Sequence, residues 1–451
     1  MTRDLGAVFK AYDVRGLYPQ QLDEDVSRRI GSAFARFVGS ERVAVGRDMR
    51  VSSDSLAAAF REGVTAAGSA AVDVGLVSTD ALYYASGALE LPAAMFTASH
   101  NPPQYNGIKM CRERAAPIGE DTGLTEIRSA AEAADGLTPS SAKVQTEAIL
   151  ERYAAHCRSF VAGSTLAPLK VAVDAGNGMA GKTVPAVFEP LPIEVVPLFF
   201  ELDGTFPNHL ANPIEPENLE DLQRVVTEQG CDLGIAFDGD ADRIFLVDEG
   251  AGLVSGSLTT ALVAERLLRR SPGESVIYNL ICSRTVPEVI AENGGKPIRS
   301  RVGHSFIKEV MAETGAIFAG EHSGHYYFRD NFRADSGMIA ALLVLEAMSE
   351  TGQALSKLLE PFRRYEDSGE INFVVADQAG TIDFLAAQFQ DGDQDRLDGL
   401  TVSYADWWFN CRPSNTEPLL RLNLEAKSRE QMLAKVDQIS RLITGGVDGA
   451  G

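Results

Sequence analysis

Three aspartates at alternate positions, Asp238, Asp240 and Asp242, follow the apolar run Gly234–Phe237. On an extended or looping backbone their carboxylates converge on one hard cation. Oxygen donors of this kind suit Mg²⁺ and leave room for a phosphate oxygen. Three such charges left without a counter-ion would be costly to bury. Arg243 is expected at the rim of the same loop. Glu249 completes the spacing of an EF-hand, but the sixth position is Arg243, where a sharp turn needs glycine. The flanks Gly234–Phe237 and Ile244–Val247 read as strands, so the EF-hand is excluded. A solvated acidic turn is the plain alternative.

A second segment, Thr97-Ala-Ser-His-Asn-Pro-Pro, follows the apolar run Ala93–Phe96. A strand that stops at such a turn presents the Ser99 hydroxyl at the carboxyl end of a sheet, where α/β proteins place ligands. His100 could handle its proton and Lys109 could neutralise a phosphate. Ser, Asn and Pro also favour turns, so a plain turn explains the same residues. In Gly320-Glu-His-Ser-Gly-His, Glu321 and Ser323 could hydrogen-bond sugar hydroxyls, and His325 a phosphate or hydroxyl. The alternative there is a glycine-rich connector. In Asn410-Cys-Arg-Pro-Ser-Asn-Thr-Glu-Pro, Arg412 offers a guanidinium fork. Ser414, Asn415 and Thr416 add two hydroxyls and an amide, which makes a phosphate cradle. A turn held by its own side chains would look similar.

A fifth segment competes with all of these. Gly176-Asn-Gly-Met-Ala-Gly-Lys-Thr satisfies the G-x-x-x-x-G-K-[ST] pattern of a P-loop NTPase, with Ile235–Asp238 as its second strand. A P-loop needs a helix whose N-terminus faces the phosphates. Here Pro185, Pro190, Pro192 and Pro197 are expected to break the segment beyond Lys182. The P-loop reading also leaves the Ser99, Glu321 and Arg412 segments unexplained.

The elements that must position these groups repeat. Arg42-Val-Ala-Val-Gly-Arg-Asp reads as strand and turn, followed by a helix over Leu56–Ala67. Lys170-Val-Ala-Val-Asp and Ser275-Val-Ile-Tyr-Asn begin the same way, the latter with a helix over Val286–Asn293. Second apolar runs come next at Ala70–Val74, Ile193–Phe199 and Pro297–Arg301. Strand, turn, helix and strand three times over predicts three related α/β units. A helix is expected near Thr146–Phe160, with chain breaks near Glu249 and Arg364–Ser368. Leu420-Arg-Leu-Asn-Leu alternates as a half-buried strand should. Lys427–Leu442 reads as a closing amphipathic helix.

Composition bounds the rest. The chain has 451 residues, 45% hydrophobic and 23% charged, which predicts several domains with globular cores. No apolar run is long enough for a membrane span, and the first residues do not read as a signal peptide. A cytoplasmic location is expected. The five cysteines, Cys111, Cys157, Cys231, Cys282 and Cys411, are scattered and form no C-x-x-C pair. Reduced, isolated thiols are therefore expected. A net charge of −22 disfavours nucleic acid and anionic membranes as partners. An anionic substrate would need locally clustered Lys, Arg and His.

Five segments in this order resemble the α-D-phosphohexomutase family, in its bacterial phosphomannomutase/phosphoglucomutase branch. They are Phe9-Lys-Ala-Tyr-Asp-Val-Arg-Gly, Thr97-Ala-Ser-His-Asn-Pro, Asp238-Gly-Asp-Ala-Asp-Arg, Gly320-Glu-His-Ser-Gly-His and Arg412-Pro-Ser-Asn-Thr-Glu-Pro. The resemblance implies three similar mixed-sheet α/β domains and a smaller C-terminal α+β domain around a central cleft. The expected divisions are residues 1–145, 146–250, 251–366 and 367–451. It implies a phosphorylated Ser99, with Mg²⁺ on Ser99, Asp238, Asp240 and Asp242, and hexose 1,6-bisphosphate as intermediate and activator. His100, Lys109, Arg15, Arg243 and the acid–base candidate His304 would serve transfer. Lys10, Glu321, Ser323, His325, Arg412, Ser414, Asn415 and Thr416 would hold a hexose phosphate. The implied reaction interconverts mannose 1-phosphate and mannose 6-phosphate, with glucose phosphates as further substrates, in a monomer or homodimer. A sugar-phosphate-binding homologue without turnover is the non-enzymatic alternative. Many members carry lysine where Ile281 precedes Cys282-Ser-Arg, and Thr-Gly-His where this chain has Val302-Gly-His.

Overall fold

Each of the three repeated stretches builds a sheet on one plan. In the computed structural model, which describes residues 4–134, 143–414 and 419–445, the opening strand of each repeat lies mid-sheet. Arg42–Arg47 runs parallel to Ala70–Leu76 on one side and to Ala93–Phe96 on the other. Leu169–Asp174 lies likewise between Ile193–Leu198 and Leu233–Phe237. Ser275–Asn279 lies between Lys296–Ser300 and Phe318–Gly320. The chain then turns back, and an antiparallel strand joins each sheet: Tyr105–Cys111, Ile244–Asp248 and Tyr326–Phe328. A further antiparallel strand lies beyond it at Val14–Leu17, Leu253–Val254 and Ala334–Asp335.

This plan fixes where function can sit. The turn before each returning strand opens at the carboxyl end of the parallel strands, where ligands bind in α/β sheets. These turns carry Ser99, then Asp238, Asp240 and Asp242, then Glu321, Ser323 and His325. The repeat seen weakly in sequence is thus a repeat of topology, and it delivers the same turn three times.

The helices track the periodic runs: Ser53–Ala66, Ala180–Phe188 and Thr285–Glu292. One expectation fails here, because Pro185 lies inside the helix Ala180–Phe188 and does not end it. Its missing N–H forfeits one bond to the Gly181 carbonyl. Burial of Val184, Val187 and Phe188 outweighs that loss. One hydrophobic cluster runs through the first three domains. From Gly337 to Leu345 the helix Gly337–Thr351 is apolar all round, because it is buried within that cluster. No single helix among the described residues is long and apolar enough to cross a membrane. All five cysteines are free and buried.

The C-terminal domain is an antiparallel sheet with its own core. Its strand order is Glu366–Phe373, Leu420–Ala426, Trp407–Pro413, Leu400–Ser403 and Asp393–Asp395. Leu420–Ala426 alternates as its sequence predicts, but its polar face is not solvated. Glu425 accepts hydrogen bonds from Trp408 Nε1 (2.8 Å) and from the Arg284 N–H of the third domain (3.0 Å). Leu420, Leu422 and Leu424 face the domain's own core. On the polar side Glu425 meets the third domain, and Arg421 and Asn423 pair with Glu370 and Arg412 of the same domain.

Candidate active site

The Ser99 and Asp238 turns meet directly. Ser99 Oγ donates to Asp238 Oδ2 at 2.7 Å. Ser99 has a left-handed backbone, φ 49°, and its N–H is held by Thr97 Oγ1 at 2.9 Å. The two loops approach so closely that a Cβ on Gly239 would stand 2.4 Å from the Ser99 carbonyl oxygen. Only glycine fits there. From the returning strand Tyr105–Cys111, Lys109 Nζ donates to Asp240 and to Asp242, each at 2.7 Å. Thr79, at the start of the helix Thr79–Leu89, donates its hydroxyl to Asp240. Arg243 donates its Nε to Asp238 (2.9 Å) and its Nη2 to Ser99 Oγ (3.1 Å) and His100 Nδ1.

An arginine N–H can only donate, so His100 Nδ1 is an acceptor and the ring is neutral. Burial, then the charges of Arg243 and Arg15, press its pKa well below the usual value. The Ser99 proton therefore goes to Asp238 here, although His100 Nδ1 stands 3.1 Å away. Burial pushes Asp238 up to about 6, against Arg243, and Asp242 up to about 7, with Asp240 adding to the rise. Burial also opposes ionised Asp240, but Lys109 and Thr79 hold its carboxyl below the usual range. For Lys109, burial opposes the charge and the two aspartates more than restore it.

The donor set fits a divalent cation. One carboxylate oxygen from each of Asp238, Asp240 and Asp242 lies within 4.8 Å of the others. Asp240 Oδ1 and Asp242 Oδ1 are buried with no hydrogen-bond donor among the described residues, a costly state unless something else satisfies them. With all three carboxyls ionised, Lys109 and Arg243 leave this group one negative charge. A divalent cation reverses that sign, as a phosphorylated ligand requires.

Glu321 is buried and held by Tyr327 OH at 2.6 Å and Asn279 Nδ2 at 3.3 Å. Burial raises its carboxyl to about 7. Ser323 Oγ lies 3.0 Å from His325 Nδ1, and His325 Nε2 lies 3.8 Å from Asp242 Oδ1. The third turn thus reaches the aspartates. Arg15 joins the Ser99 turn through Asn101 Oδ1 at 2.7 Å and pairs with Asp13 at 2.5 Å. Lys10 is not brought in: it is exposed, and its ammonium donates to the nearby Ala7 carbonyl at 2.8 Å. Arg412 is buried with its fork already engaged by Asn423 Oδ1 and Glu370 Oε2, both at 2.7 Å. It acts electrostatically on His322 in the third turn. The Ser414 N–H binds the Leu419 carbonyl. Asn415, Thr416 and the side chain of His304 lie outside the described residues.

Sequence reasoning missed several supports. Thr79, Asn101, Asn279 and Tyr327 touch the named groups. Asn101, Asn279 and Tyr327 stand in or beside segments singled out by sequence but without a role of their own, and Thr79 is marked by no local pattern. Asp48 and Arg50 come just after the central strand Arg42–Arg47 at its carboxyl end, a placement that could have drawn notice. The P-loop segment is otherwise occupied. Lys182 Nζ donates to the Leu76 carbonyl at 2.7 Å, and the Met179 N–H to the Gly239 carbonyl at 2.9 Å. The Gly176–Thr183 segment thus buttresses the aspartate loop.

Comparison with known proteins agrees with this geometry. Models of the phosphoglucomutase/phosphomannomutase α/β/α domains I, II and III match residues 6–137, 151–252 and 255–365. The C-terminal domain model of the same family matches residues 370–442. A Xanthomonas campestris protein named "Phosphohexose mutases" is 41% identical over 444 residues, covering 97% of this chain and 99% of the relative. A Salmonella montevideo phosphomannomutase is 39% identical over 448 residues, covering 96% and 98%. A crystal structure of a phosphoglucomutase/phosphomannomutase family protein from Burkholderia thailandensis superposes with a TM-score of 0.90 at 35% identity, covering 100% of this chain and 99% of that one. Four domain models in order, with relatives matched end to end, place the chain in the phosphoglucomutase/phosphomannomutase family, a family of phosphohexomutase enzymes.

Proposed function

We propose that this chain interconverts hexose 1-phosphates and hexose 6-phosphates, with mannose phosphate as principal substrate and glucose phosphate as a second. The observation that carries the proposal is the Ser99 hydroxyl, 2.7 Å from Asp238 within a buried group of three aspartates, Lys109 and Arg243. The mannose preference rests on the relatives named phosphomannomutase.

In the proposed cycle Ser99 carries a phosphoryl group. A free hydroxyl oxygen of the bound hexose phosphate bonds to phosphorus as the bond from phosphorus to Ser99 Oγ breaks. The hydroxyl proton passes to a base, for which His304 is the candidate. The product is a hexose 1,6-bisphosphate. Ser99 Oγ, left as an alkoxide facing Arg243, bonds to the other phosphorus once the intermediate has turned over in the cleft. The bond from that phosphorus to the sugar oxygen breaks, the oxygen takes the proton back from the base, and the isomeric monophosphate leaves. Mg²⁺ held by Asp238, Asp240 and Asp242 would neutralise charge on the transferring phosphoryl. Lys109 and Arg243 supply fixed cations against the same oxygens, already oriented by the carboxylates they bind, Asp240 and Asp242 for Lys109 and Asp238 for Arg243. Glu321 accepts hydrogen bonds from sugar hydroxyls, and Ser323 and His325 line the route between sugar and aspartates. Ser414, Asn415 and Thr416 would grip the phosphate that does not react, with Arg412 freed from Glu370 to join them.

The test is a coupled mutase assay with Mg²⁺ and catalytic glucose 1,6-bisphosphate, offering mannose 1-phosphate, glucose 1-phosphate and glucosamine 1-phosphate. Turnover of the first two, abolished in Ser99→Ala with the fold intact, is the expected result. Steady ATP hydrolysis without sugar turnover would restore the P-loop reading. Tight sugar-phosphate binding without turnover would mark a binding protein.

A further inference from the structure

Arg50 lies behind the Ser99 turn, and its polar partners are backbone carbonyls of that turn and Asp48, not the side chains assigned to the reaction. Its side chain is completely buried. Its Nη2 donates to the carbonyls of Ser99 (2.8 Å) and Asn101 (2.6 Å). Its Nη1 donates to those of Pro102 (2.9 Å) and Tyr105 (3.0 Å). Nε lies 3.3 Å from Asp48 Oδ2. Asp48 is itself held by Ser53 Oγ and the Arg50 N–H. One planar guanidinium therefore collects four carbonyls from a seven-residue segment, and that segment is the loop that presents Ser99.

Such a convergence solves a specific problem. Ser99 stands at φ 49°, a region costly for a residue with a Cβ. A turn with two prolines has few N–H groups with which to hold itself. Arg50 supplies the missing donors from outside the segment, with a fork whose geometry is fixed. The second domain then closes over the fork. The Phe206 ring lies 5.1 Å from the guanidinium carbon. A Cβ on Gly204 would come within 2.6 Å of Arg50 Cα, so the loop packs backbone to backbone.

We propose that Arg50 is a positioning residue for phosphoryl transfer: it sets the Ser99 peptide so that Oγ meets the aspartate loop. This inference rests on Ser99 being the phosphoryl carrier. A displacement of about 1 Å at a reacting group costs roughly 100-fold in rate. Lysine in place of Arg50 keeps the charge but offers one nitrogen for four acceptors spread across a fork.

The experiment compares wild type, Arg50→Lys and Arg50→Ala. Each is incubated with Mg²⁺ and glucose 1,6-bisphosphate, and phosphoryl on Ser99 is read by mass spectrometry beside steady-state kinetics with mannose 1-phosphate. Wild type takes phosphoryl onto Ser99. Arg50→Lys folds, keeps its KM, and loses roughly 100-fold or more in kcat. Added guanidinium chloride, but not sodium chloride, restores part of the kcat of Arg50→Ala. A phosphorylated wild type with unchanged kcat in Arg50→Lys would overturn the role of Arg50 alone. So would failure of both variants to fold, which would make Arg50 a keystone of stability only. A wild type that never carries phosphoryl on Ser99 would defeat the mutase reading, and this inference with it.

Discussion

Glu321 shows what burial does to a group meant for a polar ligand. Its carboxyl is 2% exposed and titrates near 7 in the fold, against 4.5 as its ordinary value. A raised carboxyl favours the protonated fold. Its contribution to stability is therefore whole below pH 4.5 and is lost as pH rises through 7. Two and a half pKa units correspond to on the order of 3 kcal/mol. Glu321→Gln should remove that slope. Denaturant melts from pH 5 to 8 should show wild type losing ground to the variant by about that amount. A difference between the two that does not change with pH would contradict the assignment. On the proposed function, sugar hydroxyls would supply the donors that this buried carboxyl needs to stay ionised.

At the scale of elements, the site is three copies of one turn, and how closely they pack decides what they can do. Gly239 lets the aspartate loop rest against the Ser99 carbonyl. Gly239→Ala should push the loops apart, lower stability by about 1–3 kcal/mol, and cut kcat by roughly 100-fold. Melting curves and mutase kinetics on one preparation would check both, and wild-type kcat in this variant would show that the contact is incidental. The turns were legible in sequence because each pairs an apolar strand with polar residues that a plain turn does not need. The sheets were legible because the repeat puts similar runs at similar offsets. What holds the turns was not legible. Arg50 reaches carbonyls 49 to 55 residues away and Thr79 reaches Asp240 across 161 residues, contacts that no local pattern encodes. Lys10 sits within a family motif yet its ammonium is engaged by the Ala7 carbonyl, since a motif fixes backbone and not side-chain partners. Pro185 misleads because helix propensity takes no account of the apolar face that stabilises its helix.

Across the whole molecule, the first three domains share a core and the fourth has its own. Asp80 marks the junction of the three. It accepts from Tyr153 OH of the second domain at 2.6 Å and Ser336 Oγ of the third at 2.7 Å. These bonds tie the helix Thr79–Leu89, whose first residue holds the aspartate loop, to both neighbours. The fourth domain is joined through polar groups, with Arg284 donating to the carbonyls of Ala405 (3.2 Å) and Tyr404 (2.8 Å). A net charge of −22 surrounds the proposed phosphate site. The fixed cations Lys109 and Arg243, with a divalent ion at the aspartates, would supply the local reversal that an anionic ligand needs. The central claim is that Ser99 passes a phosphoryl group to a sugar. Its most direct test is to load the protein from glucose 1,6-bisphosphate labelled in its phosphoryl groups, remove free label, and add unlabelled mannose 1-phosphate. The account predicts label on Ser99 alone, then its transfer to mannose bisphosphate in a single turnover. Label on another residue, or mutase turnover with Ser99 never labelled, would contradict it.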